Sequence, residues 1–235
     1  LIRQSGLYAV LNLGVKLSGL LVLPLYLNLL TTETFGHFAL LDATARVAIL
    51  VADLGIATGV LRFMSTAEHA DRHAVLPFTA LVTAAAAASV MLAAFWAAAP
   101  ALAGLLADDP GQAVLVRLMA LYAAFKVVEA IPMMLMRTQE RVGWYVAASL
   151  AEMLVLIGGV FVFLWWMERG LRGVMEAYAL SAGVGMVVLA GAMLSRVAWR
   201  YEAALLRPLV RFGVPLVLAG LASLFMNIGD RYLLK

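Results

Sequence analysis

The chain has 235 residues, of which 65% are hydrophobic and 13% are charged, with a net charge of +3. A soluble domain is nearer half apolar and a quarter charged, so this composition excludes a water-soluble globular protein and predicts an all-α polytopic membrane protein. The chain has no cysteine, which excludes disulfides, thiolate catalysis and cysteine-ligated metals. It also lacks a phosphate-binding loop, so we predict no nucleotide hydrolysis. We further expect no cofactor, no metal and no nucleic-acid partner.

Seven apolar stretches are each long enough to cross a bilayer as a helix, which takes about 20 residues. They cover residues 5–30, 38–62, 75–99, 113–136, 142–166, 174–197 and 213–234. Helices are expected because a membrane-buried backbone must satisfy its own hydrogen bonds. In the second stretch, Gly55 and Gly59 have the small-xxx-small spacing of closely packed membrane helices.

Arginines in the polar breaks predict the orientation of these helices. One alternating set of breaks is rich in arginine: Arg3, Arg62, Arg72, Arg137, Arg141, Arg196, Arg200, Arg207 and Arg211. The opposite set contains only Arg169 and Arg172, beside Asp108 and Asp109. By the positive-inside rule, the arginine-rich breaks and the N-terminus face the cytoplasm.

The break before the seventh stretch, residues 198–212, is predicted to be an amphipathic connector. Its arginines at 196, 200, 207 and 211 would share one face of a helix. Such a helix would rest on anionic headgroups and be kinked at Pro208; ordinary retention of positive charge in the cytoplasm is the open alternative. The connector divides the chain into a six-helix lobe, residues 1–197, and the first helix of a second lobe, residues 213–235.

Ionisable residues near the middle of the apolar stretches are the strongest functional signal. They are Lys16, Arg46, Asp53, Lys126, Glu129 and Glu152. Each would cost about 2.5–3.5 kcal/mol at the bilayer centre, or roughly 15–20 kcal/mol together. That sum exceeds the net stability of a typical domain. We therefore expect these side chains to face one another or water, in a polar chamber at mid-membrane.

The spacing of the polar residues places them in rows along single helix faces. The rows are Asn12 and Lys16; Asp42, Arg46 and Asp53; Tyr122, Lys126 and Glu129; and Asn227, Asp230 and Arg231. Two of these rows have a second interpretation, in which Asp42–Arg46 and Lys126–Glu129 are intrahelical ion pairs that only fix packing. The last row runs to the end of the sequence, which stops inside a helical pattern and does not begin with Met; we expect a piece of a longer protein.

Three segments together resemble one family of membrane transporters. They are Leu29-Leu30-Thr31-Thr32-Glu33-Thr34-Phe35-Gly36; Asp53-Leu54-Gly55-Ile56 followed by Arg62; and Arg211-Phe212-Gly213-Val214-Pro215 with Asn227-Ile228-Gly229-Asp230-Arg231. They are similar to the Wzx-type flippases, the polysaccharide-transporter branch of the multidrug/oligosaccharidyl-lipid/polysaccharide flippase superfamily. The chain departs from the family pattern at Thr31-Thr32, where Gly-Pro is common, and at Asn28, where arginine is common.

This resemblance implies a protein of twelve to fourteen helices in two six-helix lobes around a central cavity. It implies export of undecaprenyl-pyrophosphate-linked oligosaccharides across the bacterial inner membrane, by alternating access coupled to an ion gradient, with no enzymatic activity. Its partners would be the lipid-linked oligosaccharide, membrane lipids, a polysaccharide polymerase and chain-length proteins.

The cavity residues fall into three predicted roles. Pyrophosphate ligands would be Lys16, Arg46 and Lys126; ion-coupling or cavity carboxylates Asp42, Asp53, Glu129, Glu152 and Asp230; and other polar cavity residues Asn12, Tyr122, Asn227 and Arg231. Two alternatives remain open: a multidrug or organic-cation antiporter of the same superfamily, and a membrane enzyme of polysaccharide assembly. The antiporter would require an acidic cavity, and the enzyme a large outer loop.

Overall fold

The computed structural model describes residues 26, 29–65, 74–139 and 141–233. These residues form helices and connecting turns, with no strand among them. The seven α-helices are α1 (Thr32–Asp53), α2 (Ile56–Ser65), α3 (Leu76–Leu106), α4 (Ala113–Thr138), α5 (Val142–Val160), α6 (Gly170–Leu194) and α7 (Leu206–Leu233). A π-helical segment, Phe161–Trp166, continues α5, and 3₁₀ turns at Pro110–Gln112 and Ala203–Leu205 precede α4 and α7.

The prediction of an all-α polytopic membrane protein is confirmed. Five helical segments of the described chain are long and apolar enough to cross a membrane: Thr32–Asp53, Leu76–Leu106, Gly143–Trp166, Gly170–Leu194 and Ala203–Leu224. The first predicted stretch, residues 5–30, lies almost entirely outside the described residues.

The second predicted stretch, residues 38–62, is two helices, so the prediction of one continuous helix there is wrong. Leu54 and Gly55 lie between α1 and α2 with φ angles of 51° and 68°. Two consecutive left-handed residues end a right-handed helix. The carboxylate of Asp53 then accepts a hydrogen bond from the backbone N–H of Ala57, 3.3 Å away, in the first turn of α2.

The third helix continues beyond its predicted end at residue 99. It passes through Pro100 and ends at Leu106. A proline inside a helix removes its own N–H bond, but here Ala99, Ala103 and Leu106 are buried in the core and hold the last turns in place. The predicted outer break at residues 100–112 is therefore shortened to Ala107–Gln112.

The predicted helical connector, residues 198–212, is helical only in its second part: residues 195–202 are not helical, whereas Ala203–Leu205 form a 3₁₀ turn and α7 begins at Leu206. The N–H of Ala198 donates to the carbonyl of Ala74 at 3.3 Å, and the N–H of Glu202 donates to Thr79 Oγ1 at 3.1 Å. These bonds tie the connector to the start of α3. Helix α7 starts earlier than predicted, at Leu206, and its first turn accommodates Pro208 because N–H groups there need no helical partner.

Helix α4 is the centre of the bundle. It packs against α1, α2, α3, α5 and α6. Val116 and Met119 lie in one hydrophobic cluster, and Val127, Ile131 and Leu135 lie in a second cluster nearer the other end of the helix. Because its neighbours separate α4 from lipid, this helix can carry ionisable side chains at lower cost than a peripheral one.

Helix α7 crosses the break between α1 and α2 at very close range. Gly55 and Gly213 touch backbone to backbone, so that a Cβ added to either residue would overlap the other. Gly59 packs against Leu209 one turn further along, and the guanidinium of Arg62 lies 4.4 Å from the centre of the Phe212 ring. The structure confirms close packing at the Gly55–Gly59 pair.

Candidate functional site

An ion-paired triad joins α4 to α5 inside the bundle. Lys126 Nζ lies 2.9 Å from Glu129 Oε2 and 2.5 Å from Glu152 Oε1. Lys126 and Glu129 share α4 three residues apart, as the sequence predicts, whereas Glu152 reaches the same ammonium from α5. Only 2% of the Glu129 side chain is exposed. With all three groups ionised, the triad carries one negative charge in excess.

Helix α6 leaves space for the buried carboxylate of this triad. A Cβ added to Gly185 would lie 2.9 Å from Glu129 Oε1. This oxygen is buried and has no hydrogen-bond partner among the described residues, unlike Oε2, which faces Lys126. The absence of a side chain at Gly185 thus explains how the Glu129 carboxylate fits between α4 and α6. Its Oε1 could still accept a hydrogen bond or bind a proton.

A second ion pair lies on α1. Arg46 donates from Nε to Asp42 Oδ2 at 2.9 Å and from Nη2 to Oδ1 at 3.3 Å. The Arg46 side chain is 60% exposed, although it lies near the middle of an apolar helix long enough to cross a membrane. Hydrocarbon does not solvate a guanidinium, so this face of α1 must meet water or another part of the protein.

Two tyrosines link the ion pair to the triad. Tyr122 precedes Lys126 by one turn of α4, and it lines one small cavity together with Asp42 and Tyr178. Its ring packs edge-on against Tyr178 of α6, with ring centres 5.4 Å apart. We call the ion pair, the triad and the two tyrosines together the polar row: Asp42, Arg46, Tyr122, Lys126, Glu129, Glu152 and Tyr178.

Tyr178 is the member of the polar row that sequence reasoning missed. It lies within the predicted membrane stretch 174–197, where a tyrosine hydroxyl two residues after Glu176 was the available signal. The pairing of its neighbour Glu176 was also not predicted. Glu176 Oε2 accepts from Arg169 Nη1 at 2.6 Å and Oε1 from Arg172 Nε at 2.9 Å. This second cluster closes the end of α6 beside a cleft of about 450 Å³.

Of the other predicted site residues, only Asp53 has a described side chain. Asp53 caps the first turn of α2 through Ala57. Asn12 and Lys16 lie outside the described residues, and Asn227, Asp230 and Arg231 lie on the part of α7 whose side chains are not described. The roles predicted for these residues in binding and coupling stay predictions.

The chemistry of the polar row suits ion binding and charge recognition. It combines an exposed guanidinium with a buried ammonium–carboxylate cluster. Among the described residues, no three His, Asp or Glu side chains are grouped closely enough to hold a metal ion. The row presents fixed charges of both signs within a helical bundle, which is the arrangement expected of a transport pathway.

Solved transporters of the MOP superfamily share this fold. A MOP superfamily transporter from Pyrococcus furiosus, described as having a binding pocket of reverse polarity, is 16% identical with a TM-score of 0.72; the match covers 96% of this chain and 52% of that one. A MATE protein in complex with MaD3S matches with 16% identity and a TM-score of 0.71, over 96% of this chain and 52% of that chain.

An inward-facing multidrug resistance MATE family transporter matches with 17% identity and a TM-score of 0.67, over 93% of this chain and 51% of that chain. The chain thus spans about half the length of these transporters. The chain belongs to the family described as polysaccharide biosynthesis protein, which matches residues 1–235. No curated protein sequence matches it. The predicted family resemblance is confirmed.

Proposed function

We propose that the protein is a flippase that moves undecaprenyl-pyrophosphate-linked oligosaccharides across the bacterial inner membrane by alternating access. Membership in the polysaccharide biosynthesis family and the transporter fold support this proposal at the level of class. The observation that supports it most is the exposed guanidinium of Arg46, paired with Asp42 near the middle of an apolar helix long enough to cross a membrane. A planar guanidinium can donate two parallel hydrogen bonds to a phosphate, which makes arginine well suited to a pyrophosphate headgroup.

Arg46 is a better candidate for the pyrophosphate ligand than Lys126. The ammonium of Lys126 is already held by two carboxylates, and an incoming anion would have to displace at least one of them. Arg46 has one carboxylate partner and a largely exposed side chain. Lys16 remains a proposed second ligand. In this proposal, Asp53 maintains the break between α1 and α2 and does not contact the substrate.

The polar row lines one half of the proposed substrate cavity. The second half would come from a second lobe, of which α7 is the first helix. The proposed orientation has the N-terminus and the connector arginines in the cytoplasm, so that the cavity loads from the inner leaflet. A polysaccharide polymerase and chain-length proteins would receive the exported repeat units.

The excess negative charge of the triad favours a second candidate function. An organic-cation or multidrug antiporter would use Glu129 and Glu152 to attract a cationic substrate. The MATE family transporters with this fold make that activity worth testing directly. The two classes of substrate would interact with Arg46 in opposite ways. The positive charge of Arg46 would repel a cationic drug, whereas a pyrophosphate would require it.

The experiment replaces Arg46 in the full-length protein. We expect Arg46→Ala to lose a charge-assisted contact worth about 1.5–3 kcal/mol, which is roughly a 10- to 150-fold loss of affinity for the pyrophosphate headgroup. Cells that depend on the variant should lack surface polysaccharide and accumulate lipid-linked repeat units. A drug-efflux assay on the same cells tests the second candidate, for which Arg46→Ala should not reduce efflux.

Arg172→Ala is a closely matched control. Arg172 is 58% exposed and forms an i,i+4 ion pair at 2.9 Å, nearly the same as Arg46, but it lies in the second cluster at the end of α6. Export should therefore survive in Arg172→Ala. Normal surface polysaccharide in a folded Arg46→Ala variant would remove Arg46 from the substrate site.

A further inference from the structure

The triad of Lys126, Glu129 and Glu152 has one more negative charge than positive when fully ionised. Its innermost carboxylate, Glu129, is almost completely buried, and nothing in the described part of the chain makes a hydrogen bond to its Oε1. A buried carboxylate oxygen without a donor is among the most costly polar arrangements in a protein interior. A bound cation would remove both the excess charge and much of that cost.

The geometry distinguishes between a proton and a metal cation. A sodium ion requires several oxygen ligands around one point, and the natural position is between the two carboxylates. The Lys126 ammonium already occupies that position, 2.9 Å from Glu129 and 2.5 Å from Glu152. On the opposite side, α6 lies directly against the carboxyl group, because a Cβ added to Gly185 would lie 2.9 Å from Glu129 Oε1. A proton needs no such space.

The groups around Glu129 leave the charge uncompensated. Lys126 faces it from its own helix, and Glu152 faces it from α5. Helix α6 presents Gly185, and α3 has no ionisable residue in its sequence.

The ionisable groups of α1 and α2 make their contacts elsewhere. On α1, the carboxylate of Asp42 pairs with Arg46 and that of Asp53 caps Ala57. On α2, Arg62 lies over the ring of Phe212. No second cation among the described side chains is placed to neutralise Glu129.

We propose that Glu129 is a proton-binding residue, carrying one proton on Oε1 in the conformation described here, and that its release is coupled to transport. This inference rests on the proposed function as a transporter and assigns the proton to one atom. With Oε1 protonated, the triad is neutral: Lys126 and Glu152 form a complete ion pair, and Glu129 becomes a neutral acid. Loss of the proton restores the buried excess charge, which favours a rearrangement of α4 against α5 and α6.

The test is infrared spectroscopy of the purified full-length protein in lipid bilayers, without substrate. A protonated carboxyl group has its own carbonyl stretching band, which should decrease as the pH is raised. Glu129→Gln should abolish that band. Lys126→Gln should increase it, because two buried carboxylates without a cation both favour protonation. Glu152→Gln should also abolish it, since a neutral Lys126–Glu129 ion pair needs no proton.

Glu176→Gln is the control for this test. Glu176 is held between two arginines at the end of α6, so it should be ionised and contribute nothing to the band. The opposite responses of Lys126→Gln and Glu152→Gln keep the test informative even if one variant folds poorly. A band that persists in Glu129→Gln, or that sodium abolishes at constant pH, would overturn the assignment.

The same variants separate this inference from the proposed function. A band that depends on Glu129, together with wild-type export by Glu129→Gln, would overturn the coupling while leaving the proton site in place. Normal export by Arg46→Ala would remove the proposed substrate role and leave the spectroscopic result unaffected. Support for the whole inference is a Glu129-dependent band together with loss of export in Glu129→Gln.

Discussion

From the backbone contact between Gly55 and Gly213, we predict that replacing Gly213 by alanine lowers the stability of the protein. A Cβ added to Gly213 would lie 2.9 Å from the Cα and the carbonyl carbon of Gly55, and closer still to the carbonyl oxygen of Leu54. Carbon atoms prefer separations of about 3.5–4.0 Å, so the contacts with Gly55 alone would move α7 outward by roughly 0.6–1.1 Å, and the closer oxygen of Leu54 requires a larger shift. Backbone atoms cannot rotate away, as a flexible side chain could.

The expected magnitude combines two opposing effects. Overpacking of this kind costs about 1–3 kcal/mol, and we expect the upper end because the shift also loosens the contact of Leu209 with Gly59. Replacing a helical glycine by alanine returns about 0.8–1.0 kcal/mol of helix propensity. Gly213→Ala should therefore lower the free energy of unfolding by about 2 kcal/mol.

Gly191→Ala is the matched control for Gly213→Ala. Gly191 is a helical glycine of α6 with nothing within 4 Å of an added Cβ, so the same substitution should be neutral or stabilising by up to about 1 kcal/mol. Equilibrium unfolding of the full-length variants in mixed lipid–detergent micelles, followed by tryptophan fluorescence, measures both. If Gly213→Ala were as stable as Gly191→Ala, the backbone contact would not exist as described.

Two further predictions test the packing around the polar row and α7. Replacing Gly59 and Leu209 together by cysteine should give a disulfide under mild oxidation. A Cβ added to Gly59 would lie 3.9 Å from the Leu209 Cα, and the chain has no other cysteine. An unchanged gel mobility after oxidation would contradict this contact. Gly185→Val should destabilise the protein by about 1–3 kcal/mol by pressing on the Glu129 carboxylate. The loss should shrink in the double variant with Glu129→Ala, with a coupling of about 0.5–3 kcal/mol in a double-mutant cycle; strict additivity would show that the two residues do not touch.

Several parts of this site could be predicted because they depend on local geometry alone. The helical repeat places residues three and four apart on one face, so the Asp42–Arg46 and Lys126–Glu129 pairs follow from spacing. Composition likewise predicts the membrane helices, since apolar stretches of that length have few other stable environments. The approximate positions of α3 to α6 follow from the same patterns.

Other parts depend on contacts between residues that are distant in sequence. The chain places Glu152 26 residues after Lys126, and only the packing of α5 against α4 brings it to the same ammonium. The arginines of the predicted connector share a helical spacing, yet only Arg207 and Arg211 lie on α7. The segment before them is not helical, and its Ala198 and Glu202 donate hydrogen bonds to Ala74 and Thr79. A periodic pattern predicts the structure that a segment favours in isolation. It contains no information about hydrogen-bond partners elsewhere in the chain.

Local properties of the amino-acid sequence establish a helical membrane protein with charged residues inside its apolar helices, because the cost of burying charge and the helical period both act over short segments. Which charges meet depends on contacts between helices. The tertiary structure placed the charged helix α4 at the centre of the bundle, left Arg46 exposed, and set Glu129 against Gly185 with one oxygen unpaired. These arrangements result from which helix faces pack together, and that choice depends on the shapes of several helices at once.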